Sequence, residues 1–251
     1  MLEIVAASGF MDTPKVLRDH LEDRGVSAIC HYSHQLGGQK VRARICWGLP
    51  DYSQLPCLNA KATLMSKFRQ TQVMLDAGVQ CPPIWTAVPS NAALYPLLGR
   101  RSHHDNGKDI KVFQSPVDAR NGSWDFLTKL IESDTEFRAW VWRGEVLAVY
   151  ERVQRGESKN TRIFGRNWDQ GWRFDYLDKL DWPKGCQTPS IEAVKAVNLD
   201  FGAVDFLRGR DKKLYVLEVN SAPCMDWKTG LALQRLADRM VDWYKELKDA
   251  K

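Results

Sequence analysis

Between Asp200 and Pro223 two apolar, β-branched-rich runs, Phe201–Leu207 and Leu214–Val219, flank the polar turn Arg208–Lys213. Such runs around a short glycine-containing turn predict a β-hairpin. With the turn centred on Asp211 and Lys212, Asp205 faces Glu218 and Ala203 faces Asn220. The strand period of two then puts Asp205, Glu218 and Asn220 on one face, with Val204, Phe206, Leu217 and Val219 on the other. Two carboxylates directly across a ladder repel unless something positive separates them. An amide oxygen beside them completes an all-oxygen set, suited to Mg²⁺ carrying nucleotide phosphates rather than to zinc. The alternative is an exposed hairpin with solvated charges, which has no need of one-face register inside such apolar strands.

The remaining composition bounds the answer. A chain of 251 residues, 44% hydrophobic and 27% charged, matches a globular protein of two or three lobes. It has no run of 18 apolar residues, and the start MLEIVAASGFMDTPK lacks the basic head and apolar stretch of a signal peptide, so a cytoplasmic protein without membrane association is expected. The six cysteines fall in no CxxC or Cys/His cluster, so reduced core thiols are expected rather than a disulfide frame or a zinc site. A formal charge of +5 without a Lys/Arg block suits an anionic ligand, and no nucleic-acid motif is present. The ten tryptophans recur singly, as packing residues do.

In chain order the expected elements are a strand at Glu3–Ala7, a helix capped at Thr13 with Pro14 first and Gly25 as its stop, and strands at Val26–Tyr32 and Arg42–Trp47. This β-α-β-β unit ends near Pro56. A helix follows from about Ala60 to Ala77, then strands at Tyr95–Arg101 and Ile110–Gln114 around the polar loop Ser102–Asp109. Asp125–Ile131 reads as a strand, and TEFRAWVW, Gly144 and EVLAVYERV as a hairpin on which Arg138 shares the face of Glu136. For Arg138 a plain cross-strand ion pair, with Glu151 as partner, is the alternative. His103 and His104 read as a solvated pair, and Cys224 as an incidental thiol with no histidine partner nearby in sequence. Thr188–Pro189 caps a helix to about Val197. The last helix, Lys228–Lys248, is amphipathic, with Leu231, Leu236, Met240, Trp243 and Leu247 as core positions.

The pattern Asp205, hairpin, Glu218-x-Asn220 resembles the metal-binding end of the ATP-grasp superfamily of carboxylate ligases. FGAVDFL followed by LEVNSAP is similar to its ribosomal-protein glutamate ligase and D-alanyl-D-alanine ligase branches. In size and short first domain the chain is similar to small ATP-grasp proteins of phages and peptide-modifying pathways. The resemblance implies an α+β fold with an α/β-like amino-terminal lobe. A small truncated domain (1–58) precedes an ATP-grasp domain (59–251), whose nucleotide lobe (about 59–131) and catalytic lobe (about 132–251) enclose ATP.

It further implies roles for individual residues. Asp205, Glu218 and Asn220 hold two Mg²⁺ ions, with Mn²⁺ as a substitute. Lys67 reaches phosphate, and Arg100 stands where relatives carry a phosphate lysine, before a flap that keeps only Gly107. Backbone groups of Lys129, Leu130 and Ile131 read the adenine edge, and Glu136 holds the ribose. Arg138, on the EFR strand, is aimed at phosphate or acceptor, and Arg166 with Asn167, in a polar stretch with Lys159 and Arg162, clamps the transferred phosphate and metal. Ala203 replaces an arginine that in many relatives steadies the acyl phosphate, which leaves that role to Arg138 or Arg166. The implied activity is an ATP- and Mg²⁺-dependent carboxylate–amine ligation through an acyl phosphate, acting on small-molecule or peptide substrates, with a homodimer left open. The alternatives are a nucleotide-binding protein of the same fold without ligation and a small-molecule phosphotransferase.

Overall fold

The structure is a computed structural model and describes residues 1–7, 12–32, 41–62, 65–102, 110–133, 135–155, 171–224 and 230–250. Its amino-terminal layer comprises β1 (Leu2–Ala6), α1 (Asp12–Asp23), β2 (Ala28–Tyr32), β3 (Ala43–Trp47) and the two-residue β4 (Cys57–Leu58). The strands run parallel in the order β2-β1-β3-β4. The expected β-α-β-β unit is thus extended by one short strand beyond Pro56. Helix α1 starts at Asp12, so Thr13 and Pro14 lie in its buried first turn rather than Thr13 forming the cap. Gly25 stops it at φ +77, where the Val26 amide donates back to the Leu21 carbonyl at 3.0 Å.

Helix α2 (Lys67–Asp76) starts later than the expected Ala60. Asn59 sits in the left-handed region at φ 55, and the Ser66 hydroxyl caps the helix by accepting the Arg69 amide at 3.3 Å. Next come β5 (Ile84–Trp85), β6 (Leu97–Arg100), β7 (Lys111–Phe113), α3 (Pro116–Arg120) and β8 (Phe126–Lys129), forming an antiparallel sheet ordered β5-β8-β6-β7. Its small core gathers Leu97, Phe113, Ala119 and Leu127. Gly99 lies directly beneath Phe113, and a Cβ there would come within 2.3 Å of the ring.

The largest sheet holds β9 (Thr135–Trp142), β10 (Glu145–Gln154), β11 (Trp172–Leu177), β12 (Phe201–Arg208) and β13 (Leu214–Asn220), all antiparallel in the order β11-β10-β9-β12-β13. Alternation, interrupted by bulges in β10 and β13, gives it two buried sides. Phe137, Ala139, Val141, Val204, Phe206 and Val219 pack against α4 (Gln187–Ala196) and Met74 of α2. Trp140, Trp142, Tyr150, Phe201 and Ala203 pack against the amino-terminal sheet and α5 (Gly230–Asp249). Trp47 and Trp142 both meet the ring of Phe201, at 5.4 and 6.4 Å between centroids. Burying side chains of this kind contributes about 1.5–3 kcal/mol each.

Two boundaries shift for physical reasons. Helix α4 starts at Gln187, one residue before the expected Thr188–Pro189 cap, so both residues lie in its first turn. In α5 the buried stripe is Ala232, Leu233, Leu236, Ala237, Met240, Val241, Trp243 and Tyr244. Leu231 therefore stays half-buried at the margin, and Leu247 packs on the core only partly.

The β12–β13 hairpin differs in detail from its sequence reading. Asp205 does face Glu218 and Ala203 faces Asn220, but the ladder then slips, with Phe206 opposite Val216 and Arg208 opposite Leu214. The turn is centred on Asp211, whose carboxylate accepts from the Lys213 amide at 3.1 Å and the Tyr215 hydroxyl at 2.8 Å. Leu217 is the extra residue at the resulting bulge. Val216, not Leu217, thus joins the core beside Val219.

Candidate functional site

The strand period and the register across β10, β9, β12 and β13 assemble one charged row. Tyr150 pairs with Arg138, Arg138 with Asp205 and Asp205 with Glu218. Asp205 is 4% exposed, and such a buried carboxylate demands a partner. Arg138 supplies it with a two-pronged bond, Nε to Oδ1 at 2.6 Å and Nη2 to Oδ2 at 2.7 Å. The alternative reading of Arg138 as a cross-strand ion pair thus holds with a different partner: Asp205 takes the place suggested for Glu151, which stands opposite Phe137, one residue out of step and on the other face.

Glu218 is neutralised separately. Lys67, the first residue of α2, forms an ion pair and hydrogen bond with its Oε2, and Asn220 Nδ2 donates to Oε1 at 3.3 Å. Burial works to raise the Glu218 pKa, but the charge and hydrogen bond of Lys67, helped by Arg100 and Arg138, bring it down to about 2. Arg100 ends β6 of the four-stranded antiparallel sheet, above the ring of Phe126 at 5.6 Å. Burial lowers its pKa, and the charge of Glu218 partly restores it. For Arg138 burial again opposes the charged form, and the Asp205 carboxylate overrides it, holding the guanidinium above arginine's usual range.

Several members of this array escape sequence reading. Arg152 of β10 pairs with Glu136 at 3.2 Å and lies 4.0 Å from Asp205. The guanidinium carbons of Arg138 and Arg152 stand 4.4 and 4.3 Å from the centroid of Phe174 on β11. Period two places Arg152 and Phe174 on the site face, but only the β10–β11 register, Arg152 opposite Phe174, brings them together. Gln70 is equally silent in sequence. Its amide exchanges two hydrogen bonds of 2.9 Å with the backbone of Val219, sealing the free edge of β13 against α2.

The other expected residues are dispersed. Lys129 donates its amide to Pro83 O at 2.9 Å and its Nζ to Leu94 O at 2.6 Å, while the Leu130 amide reaches Pro96 O at 3.4 Å. Ile131 packs near the hairpin turn, 3.2 Å from the place a Cβ on Gly209 would occupy. Ala203 is fully buried between Trp140 and Asn220 in the ladder, where the core leaves an arginine no place. Gly107, Arg166 and Asn167, with Lys159, Arg162, His103 and His104, lie outside the described residues.

Four cations (Lys67, Arg100, Arg138, Arg152) thus surround three carboxylates (Glu136, Asp205, Glu218), leaving one net positive charge. The donors on the acidic side are all oxygen and sit beside cations able to hold phosphate, so they fit a hard divalent ion accompanied by a polyphosphate.

This set of one parallel and two antiparallel sheets matches the ATP-grasp fold, and this chain has it. No protein-family model matches the sequence, and no curated protein sequence does. Solved structures do match. The ATP-grasp ligase PsnB, complexed with minimal precursor, Mg and ADP, superposes with a TM-score of 0.71 at 13% identity, covering 96% of each chain. The macrocyclase MdnC from Microcystis aeruginosa MRC, bound with precursor peptide MdnA, gives 0.62 at 16% identity over 96% of this chain and 99% of its own. The D-alanine–D-alanine ligase of Bacillus anthracis, complexed with ATP, gives 0.62 at 12% identity over 97% and 98%.

Proposed function

We propose that this chain is an ATP-dependent carboxylate–amine ligase. The observation that carries the reading is the array of Lys67, Arg100, Arg138 and Arg152 around Asp205, Glu218 and Asn220, placed between the lobes of an ATP-grasp fold. Glu218 and Asn220, with Asp205 shared between Arg138 and the ion, would hold Mg²⁺. When bound, that ion offsets negative charge on the ATP phosphates.

The chain's own groups account for the rest. Lys67 and Arg100 approach from α2 and β6, so they can bind phosphate oxygens from the nucleotide lobe. Arg138 and Arg152, immobilised against Phe174, can hold a second anion, the carboxylate to be activated, in fixed orientation. A carboxylate oxygen attacks the γ-phosphorus and ADP departs, giving an acyl phosphate. An amine then attacks the acyl carbon, loses a proton and expels inorganic phosphate. Because PsnB and MdnC are seen with precursor peptides, a peptide side chain is the first donor or acceptor to try.

The test is ADP and phosphate release with and without Mg²⁺ against pooled amino acids, polyamines and peptides, with mass spectrometry of products. A condensed product lacking one water supports the reading, and Glu218→Ala abolishes ADP formation while the fold persists. A second reading, a nucleotide-binding protein without ligation, draws on the complete engagement of Asp205 by Arg138 and on Ala203. MgATP binding with no turnover in any pool selects it.

A further inference from the structure

On the amino-terminal sheet, away from the acidic hairpin, Cys46 of β3 and Cys57 of β4 bring their sulfurs to 3.2 Å. Asp51, in the connection between these strands, adds a carboxylate oxygen, and all three ligand atoms lie within 4.8 Å of one another. Among the described residues this is the one such His/Cys/Asp/Glu group. Spacing along the chain hides it, because only the parallel pairing of β3 with β4 closes it.

Two chemistries could join these sulfurs, and the register separates them. Arg44 is the partner of Cys57, so Cys46 lies two residues farther along a neighbouring parallel strand. A lateral spacing of about 4.8 Å and a rise of about 3.3 Å per residue put the two Cα atoms about 8 Å apart. That exceeds the ~7 Å beyond which a disulfide needs backbone movement. A metal bridge has no such limit. Two thiolates about 2.3 Å from a tetrahedral zinc stand about 3.8 Å apart, which the observed pair reaches by widening about 0.6 Å.

The surroundings hold the third ligand in place. Asp51 Oδ1 accepts from Arg44 Nη1 and from the Ser53 amide, both at 3.1 Å, and Oδ2 accepts from the Ser53 hydroxyl at 2.5 Å. The charge of Arg44 is matched in turn by the buried Glu3, at 2.5 Å. Such outer contacts orient a metal-binding carboxylate and leave a lone pair for the ion.

We propose that Cys46, Cys57 and Asp51 form a zinc site with a solvent oxygen as fourth ligand. Binding forms two Zn–S bonds and releases the two S–H protons to solvent. The site ties the two-residue β4 to β3. Asn59, which follows, holds the entry to β12 through its own amide to Asp200 Oδ2 at 2.7 Å and its side-chain amide to Phe201 O at 3.0 Å. Zinc therefore firms the joint between the amino-terminal sheet and the strand that carries Asp205.

The full-length protein, freed of metal by a chelator under reductant, is titrated with Co²⁺ as a spectroscopic stand-in and then with Zn²⁺. One Co²⁺ per chain with a thiolate-to-cobalt charge-transfer band, displaced by Zn²⁺, is expected. The half-buried Cys57→Ser should lose the band, Asp51→Asn should weaken binding, and the exposed Cys224→Ser should keep it. Absence of the band in a folded protein, its survival in Cys57→Ser, or a Cys46–Cys57 disulfide found by peptide mapping in the unreduced protein would each overturn the site. None of these readouts depends on ligase activity.

Discussion

Arg138 and Asp205, side by side on β9 and β12, are locked together by two hydrogen bonds of 2.6 and 2.7 Å. Each carries the charge that faces the other in a place nearly closed to water. Removing one partner leaves a buried charge, which costs about 3–5 kcal/mol, whereas removing both leaves none. Arg138→Ala and Asp205→Ala should thus each lower unfolding stability steeply. The double variant should be destabilised by clearly less than the sum, and urea denaturation of all four proteins checks this.

Lys67 sets the acid response. Glu218, brought to about 2 from an ordinary 4.5, lies lower folded than unfolded, so it adds stability above pH 4.5. That contribution disappears as pH falls through the window from 4.5 to about 2. Lys67→Met removes the chief lowering influence while burial persists, so the Glu218 pKa should rise and the loss should begin at higher pH. Acid titration of thermal stability, wild type beside variant, reads the shift, and overlapping curves would refute the pairing.

Gln70 closes the outer edge of the sheet. Gln70→Ala deletes two hydrogen bonds to Val219 and should reduce stability by about 1–3 kcal/mol. Amide exchange at Val219 should accelerate more than exchange at Val204 in the sheet interior. Equal acceleration at both would point to global destabilisation instead.

Gly48 follows β3 at φ +78, and a Cβ there would fall 2.7 Å from the Cβ of Ala222, just beyond β13. Gly48→Ala combines backbone strain of about 1–2 kcal/mol with a clash that only movement of the 221–224 segment relieves. Lower stability and faster proteolysis within that segment are expected. The Gly144→Ala control, at φ +86 in open space, carries the strain without the clash.

How much of this was readable beforehand depended on how local the cause was. The face shared by Asp205, Glu218 and Asn220 follows from period two within one hairpin, and it survived even the bulge at Leu217, which falls on the turn side of Glu218. The ATP-grasp architecture was legible through that same motif. Arg152, Phe174 and Gln70 were not legible, since their roles arise from β10–β11 pairing and from a helix docked across 149 positions of chain. Helix α2 begins at Lys67 rather than near Ala60, because Ser66 caps it and Asn59 turns into the left-handed region, which helical composition does not announce. Cys46 and Cys57, dismissed on spacing, meet through a strand too short to announce itself.

The amino-terminal sheet is finished by the last helix. Leu2, Leu17 and Leu21 share their core with Leu233, Leu236 and Met240 of α5, and Arg24 reaches Asp238 at 2.5 Å. During synthesis the strands of this sheet must therefore wait, with an apolar face uncovered, until α5 has left the ribosome. Contacts so distant in sequence make for slow assembly, and the emerging polypeptide passes through a stage open to chaperone capture or aggregation. Expression yield should accordingly respond to chaperone supply and growth temperature more sharply than the stability of the finished protein would suggest.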